Sequence, residues 1–382
     1  MIRAVLLSCL LLAVAAPAPA QSTEGAATEL AGAIARLSAL DYSTRMNAAR
    51  TVRRATAADA VRALTVAVRE SPDQFVRYRA LVLLTGFSDR SLSTVMRSLL
   101  DDRNDRVREV AYNWIAAHPD REMTFPLLAA LEREQAEFVR PALVKALATL
   151  GADPAVQRAL VAEVGRGLDF FRIAVIESLG QAGATYARGV LTTVAGIDGP
   201  LQDDAILALG RVGDTRDVAV LSALMLTTVE STMARHAALC LLGESCTDHV
   251  AAIRDVLTAP RAGAEAIRAA LMAAGAVAEV SPSTGYAFLL DASRRPATHD
   301  LAAIVFGGAA LRRPEPMLTW LIAGGPADRV AAVEALQFAF GRLEDDFAQE
   351  GFFAAVRARY WQAPEGSSDR ALMAELIQQL SF

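Results

Sequence analysis

The sequence predicts an all-α fold, an α-solenoid of about ten helix pairs. Three observations predict it. Hydrophobic residues make up 53% of the chain but aromatics only 6%, so alanine and leucine carry the apolar content and favour closely packed helices over sheets. Ten anchor positions, eight of them arginine, return in steps of 29 to 33 residues. Three residues beyond each anchor stands an apolar residue and four beyond an apolar residue or Tyr112, and positions three, four and seven lie on one helical stripe.

Before the repeat stands a different segment. Arg3 is followed by an apolar run from Ala4 to Ala16, and then by Pro17-Ala18-Pro19-Ala20-Gln21. That is the pattern of a secretory signal peptide cut after Ala20, with a run too short for the roughly 20 residues a bilayer requires. Residues 1–20 are therefore expected to be removed, and the mature protein to be periplasmic or secreted. No later segment reaches spanning length, so no integral membrane segment is expected after cleavage. At 382 residues the chain exceeds one ordinary hydrophobic core, as a repeat array would.

The anchors are Arg45, Arg77, Arg108, Arg140, Arg172, Gln202, Arg235, Arg268, Asp300 and Arg329. Three residues beyond them stand Ala48, Ala80, Ala111, Leu143, Val175, Ala205, Ala238, Leu271, Ala303 and Ala332, all apolar. A second helix follows each anchor helix, as in Asp153-Pro154 with Val156, Leu160, Val161 and Val164, or Asp214 to Met225 with Val218, Leu221 and Leu224. Glycines after the stripe, at Gly180, Gly210, Gly243 and Gly308, are expected to end the anchor helices. The array is expected over 21–361, opened by an amphipathic helix from Glu29 to Leu40 that buries Leu30, Ile34, Leu37 and Leu40. Residues 362–382 form a short linker and a capping helix with Leu372, Leu376, Ile377 and Leu380.

Leu209-Gly210-Arg211-Val212-Gly213-Asp214, Val107-Arg108 with Ala111, and Val76-Arg77 with Ala80 resemble the HEAT-like repeat of the phycobilisome-lyase type. The resemblance covers nearly all of the mature chain. It implies a structural arginine ladder between repeats, at Arg77, Arg108, Arg140, Arg172, Arg235 and Arg268. Its members serve as scaffolds, adaptors, transport receptors and occasional enzymes, so it speaks to fold more than to function.

The chemical inventory is thin. Lys145 is the only lysine beside 37 arginines, and no dense basic stripe suits nucleic acid: residues 21–110 carry net +3 and the remainder net −9. His118, His236, His249 and His299 include no pair with metal-ligand spacing, and the spacing around Cys240 and Cys246 fits no zinc pattern. The acidic pairs Asp101-Asp102, Asp203-Asp204 and Asp345-Asp346 read as solvated faces or caps. No catalytic constellation, cofactor motif or metal site is expected.

The expected function is accordingly a non-catalytic protein-binding scaffold or adaptor in the bacterial envelope. The alternatives are a cofactor-handling enzyme related to HEAT-repeat lyases and a purely structural envelope component. Positions one and five beyond the anchor lie opposite the core stripe. In the late repeats they are Ala269, Ala273, Leu301, Val305 and Val330, expected to form an apolar strip for a protein or peptide partner. The final helix covering that strip, or a shifted register, would remove it. Cys240 and Cys246, with Gly243 between them, are a possible disulfide if the chain turns there.

Overall fold

The computed structural model describes residues 21–87, 89, 91–259, 262–343 and 345–380. The expected signal peptide lies outside them. The described residues form α-helices and short 3₁₀ turns, with no strand among them. In chain order the helices are α1 (Gln21–Ala35), α2 (Tyr42–Arg54), α3 (Ala57–Glu70), α4 (Gln74–Thr85), α5 (Leu92–Ser98), α6 (Asp105–Ala117), α7 (Thr124–Arg133), α8 (Arg140–Ala148), α9 (Pro154–Glu163), α10 (Asp169–Gln181) and α11 (Arg188–Ala195). There follow α12 (Gln202–Val212), α13 (Arg216–Ala223), α14 (Val229–Leu241), α15 (Cys246–Thr258), α16 (Ala264–Val277), α17 (Pro282–Ser293), α18 (His299–Arg312), α19 (Pro314–Ala323), α20 (Pro326–Phe340), α21 (Asp346–Gln362) and α22 (Ser368–Gln379).

Each anchor lies near the start of an even-numbered helix from α2 to α20, so the repeat is a helix pair as expected. Short polar side chains start many of these helices. Asp73 accepts from the backbone N–H of Phe75 at 2.8 Å, and Asn104 does the same for Arg106 at 3.0 Å, satisfying donors that a helix start leaves unpaired. Successive anchor helices pack on one another along the array, more closely than the partner helices do, and so form the inner layer of a curve. The core runs through the array as two clusters that meet around α14.

Two expectations about local structure are corrected. Gly180, Gly210 and Gly308 do not end helices: they lie inside α10, α12 and α18. A Cβ on Gly180 would stand 2.9 Å from Ala208 Cα, and one on Gly210 would stand 2.6 Å from Ala238 Cα. Those two glycines let the next anchor helix approach. Gly243 alone among the four has the expected left-handed conformation, φ 91°, where the chain leaves α14. Leu40 is 98% exposed, because the N-terminal cap ends at Ser38 and Leu40 belongs to the turn that follows. The last helix begins after Ser367, whose side chain accepts from Arg370 N–H.

The largest correction is one of register. In most repeats the residue four beyond the anchor is buried, as Leu81 and Ile206 are. In α16 that residue would be Met272, which is 47% exposed, while Ala270 and Leu271 are fully buried. Moving the anchors one residue back, to Ile267 and His299, restores the stripe: Ala270, Leu271 and Ala274 in α16, and Ala302, Ala303 and Phe306 in α18, are all buried. It also puts Gly275 and Gly307 at the position that Gly180 and Gly210 hold, each against the next anchor helix.

Ala269, Ala273 and Val305 are therefore core, not surface, and Leu301 is half-buried. A Cβ on Gly275 would lie 2.9 Å from a methyl of Val305, so Val305 fills the seam between α16 and α18. Only Val330, 55% exposed, stands free as expected. The physical reason is composition. In an alanine-rich helix two neighbouring registers both satisfy an apolar stripe, and only the seam chosen by packing separates them.

The array closes on itself. α21 packs against α18, α19 and α22 and also against α4. Arg53 of α2 pairs with Glu350 of α21, and Arg357 of α21 donates to the carbonyl of Gly86. Tyr78 donates to Asp346 at 3.1 Å. α22 caps the end, burying Leu372, Met373 and Leu376 against its neighbours.

Candidate functional site

The anchor arginines do form a ladder. Arg77 donates to the carbonyl of Val68 at 2.8 Å and pairs with Asp102. Arg108 then takes the carbonyl of Asp102 and both carboxylate oxygens of Glu134, each at 2.8 Å. Arg140 takes the carbonyl of Glu134 at 2.9 Å and the carboxylate of Glu163 at 3.4 Å. Burial pushes the Glu134 carboxyl up, but its hydrogen bonds from Arg108 hold it below the ordinary value. Each arginine thus fills carbonyls left open where the preceding partner helix ends and fixes the next acid along.

Further on the ladder changes residue but keeps its task. Arg172 donates to Val164 at 2.9 Å and Arg235 to Leu224 at 3.4 Å. The amide of buried Gln202 donates to Ala195 at 3.1 Å, and the His299 ring nitrogen meets Ser293 O at 2.6 Å. Gln202 therefore continues the pattern. Arg268 is corrected: one residue past the true anchor, it is exposed on the inner face, within electrostatic reach of Asp203.

The inner face is polar over most of its length. Tyr78, Glu109, Lys145, Glu177, Asp203, Asp204, Arg211 and Arg268 all project opposite the core stripe. Asp204 is the most perturbed acid. Burial, then the neighbouring Asp203 and Glu177 charges, raise it to about 7, against the pull of Arg211. Arg211 itself is held by Glu279 at 2.7 and 2.9 Å. Asp102 and Asp204, read as solvated or capping, are thus a ladder member and an inner-face acid; Asp345 does cap α21, accepting from Ala348 N–H at 2.9 Å.

A cleft of about 440 Å³ opens on the edge of the array, where α8 and α10 begin. Leu131, Leu168, Phe170 and Phe171 supply its apolar lining, and Arg140, Glu163 and Arg166 form an ion-paired side. Leu168 and Phe170 are exposed, 70% and 60%, and line the cleft together, a grouping of apolar side chains rather than a scatter of single ones. Glu132 and Glu137 rim the cleft without a hydrogen bond or ion pair among the described residues. Phe75 and Phe138, two residues before their anchors as Phe170 is, extend the exposed row along the same edge. The sequence carried this signal in the phenylalanines that open the aligned segments.

The turn at Gly243 brings His236, Cys240, Cys246 and His249 into one neighbourhood. Cys240 and Cys246 are free thiols within electrostatic reach of each other, and burial, then Cys246, raises the Cys240 thiol. His236 Nδ1 meets His249 Nδ1 at 3.1 Å, and His249 Nε2 meets Glu244 at 3.3 Å. Among the described residues no three such side chains are placed to hold a metal ion. No described helix is long and apolar enough to cross a membrane.

No family model and no curated protein matches the chain. Among solved structures it is similar to the complex of CpcE and CpcF of phycocyanin lyase from Nostoc sp. PCC7120. The identity is 18% over 88% of this chain and 100% of that one, with a TM-score of 0.29. That structure is of an enzyme. The expectation that this chain is not an enzyme is therefore withdrawn, although a likeness of this degree assigns it no chemistry.

Proposed function

We propose that the protein is an exported HEAT-like repeat protein that binds a partner protein of the bacterial envelope through its edge cleft. The observation that carries this reading is the exposure of Leu168 and Phe170 on a cleft whose acidic rim, Glu132 and Glu137, has no hydrogen-bond or ion-pair partner among the described residues. The chemistry fits an extended segment with an apolar side chain next to a basic one. The apolar residue would enter between Leu168 and Phe170, and the basic residue would meet the free carboxylates. Binding at the edge leaves the inner face open to other chemistry. Export rests on the sequence of residues 1–20.

A displayed random-peptide library tests the reading. The mature chain is expected to enrich apolar-basic segments. Leu168→Ser with Phe170→Ser, both exposed, should fold with native thermal stability and lose them, and Glu132→Lys with Glu137→Lys should reverse the charge preference. Enrichment that survives the first double variant would place the binding surface elsewhere.

A further inference from the structure

We propose that the edge cleft receives a second copy of this chain, two copies joining edge to edge and antiparallel about a two-fold axis between α6 and α8. The inference rests on the reading of the cleft as a protein-binding surface and names its occupant.

The cleft belongs to the edge where each odd-numbered helix ends and the next anchor helix begins. Antiparallel helix pairs put all of these turns on one side of the array. Leu40, Tyr42, Phe75, Leu168, Phe170 and Ile197 stand exposed there, with Phe138 near the middle of the row. From α2 to α12 the opposite edge exposes Phe125 alone of the large apolar side chains among the described residues. A scatter of single apolar residues would fall on both edges alike, whereas a row on one edge marks a contact surface. The helix that closes the array leaves this row uncovered. α21 meets the first repeats at Arg53 and Gly86, where α2 and α4 end, which is the other edge.

The charges left over on this edge sort by sign along it. At the turns before α2, α4 and α6, the exposed side chains of Arg36, Arg69 and Arg103 make no hydrogen bond or ion pair among the described residues. The acids of those turns are hydrogen-bonded or ion-paired, except Glu70. At the turns before α8, α10 and α12 the pattern inverts. Arg133, Arg140, Arg166 and Arg172 are each bonded to a carboxylate or a helix carbonyl. Glu132 and Glu137 are free, and Asp198 holds only the Thr227 hydroxyl, at 2.8 Å.

An edge with free bases on one half and free acids on the other complements a copy of itself turned about a two-fold axis. With the axis between α6 and α8, the turn before α6 meets the turn before α8 of the other copy. The turn before α4 then meets that before α10, and the turn before α2 meets that before α12. The first match sets Arg103 against Glu132 and Glu137. The second brings Phe75 to Leu168 and Phe170 at the cleft, with Arg69 beside it, which supplies the apolar residue next to a basic one that the cleft suits. The third sets Leu40 and Tyr42 against Ile197, and Arg36 against Asp198. Repeats of one period keep the matches in step, since each advances the edge by about 10 Å. Every match occurs twice in the pair, and at the axis each Arg106 stacks on its own Phe138, 4.8 Å from the ring centroid. The turns from α1 to α12 together hold more than the roughly 20–30 residues a side of a standard interface.

Sedimentation equilibrium of the full mature chain tests the pairing. We expect a dimer. Phe75→Ser and Arg103→Glu should each weaken association about tenfold or more and keep native thermal stability, since both side chains are exposed. Glu132→Lys with Glu137→Lys should weaken it likewise. Mixed in equal amounts, the Arg103→Glu chain and the double-lysine chain should pair with each other, because opposite charges then meet at both copies of the contact. A monomeric parent chain overturns the proposal. If library peptides are still enriched on that monomer and lost with Leu168→Ser and Phe170→Ser, the reading of the cleft stands without it. A dimer that survives both charge reversals, or reversed chains that stay apart when mixed, overturns the proposal as well. A dimer that follows the charge swap while no library peptide is enriched upholds it and removes the reading of a foreign partner.

Discussion

Arg53 and Glu350 stand 297 residues apart in the chain and are joined side chain to side chain, Arg53 Nε to Glu350 Oε2 at 3.1 Å, with the Glu350 carboxylate almost wholly buried. Arg53 and Arg357 both stack on Phe353, so the acid sits among cations and aromatic faces at the point where α21 meets the first repeats. In an open solenoid each repeat feels only its neighbours. Here the two ends are neighbours as well.

Glu350→Gln should expose that coupling. Removing one partner of a buried pair leaves an uncompensated charge and typically costs about 3–5 kcal/mol. Hydrogen exchange is expected to rise together in α2, α4 and α21, while the helices around Leu209 stay protected. Exchange that rises in α21 alone would show that the ends fold independently.

Local damage in the middle should stay local. Leu209 is fully buried, so Leu209→Ala should cost about 2–5 kcal/mol. Exchange should increase in α10 to α14 before it increases near Arg77. A uniform loss of protection along the chain would contradict a sum of neighbour terms.

Two glycines in anchor helices should respond with opposite signs. Gly210→Ala places a methyl 2.6 Å from the Ala238 backbone and should cost about 1–3 kcal/mol through forced separation of α12 and α14. Gly308→Ala has nothing within 4 Å and should stabilise α18 by up to about 1 kcal/mol. Chemical denaturation of both variants checks the seam, and equal effects would mean that Gly210 is not at a close approach.

Asp204 should make the protein less stable as pH rises through the weakly acidic range. Its folded pKa of about 7 lies above the ordinary 3.8, so the folded state holds the extra proton between those values. Stability is then highest below about 4, falls up to about 7 and levels off above it, as far as this group is concerned. Asp204→Asn should remove this component and raise stability at pH 8 by about 1–2 kcal/mol after allowance for solvent screening, with little change at pH 4. Denaturation at both pH values decides it, and a variant with the parent's pH dependence would sink the assignment.

Cys240 and Cys246 are expected to form a disulfide once the protein is in an oxidising compartment, because the chain turns at Gly243 between them and brings the thiols within electrostatic reach of each other. The loop is short, so the stabilisation should be modest. Alkylation of unreduced, denatured protein should label neither thiol, and two labelled thiols would rule the bond out.

The sequence by itself determined the helix-pair repeat and its period near 32 residues, and the family resemblance implied the task of the arginines. Those features depend on spacing along one helix and on carbonyls that every helix end leaves open. The phenylalanines at Phe75, Phe138 and Phe170 were visible there too, but nothing local says that they stay uncovered. Only the tertiary structure decided the register of α16 and α18, where alanines at neighbouring positions satisfy two stripes and Gly275 against Val305 selects one. Only it could bring Glu350 to Arg53 and Asp346 to Tyr78. Small rotations summed over ten repeats make those contacts, and no segment of the chain carries that sum.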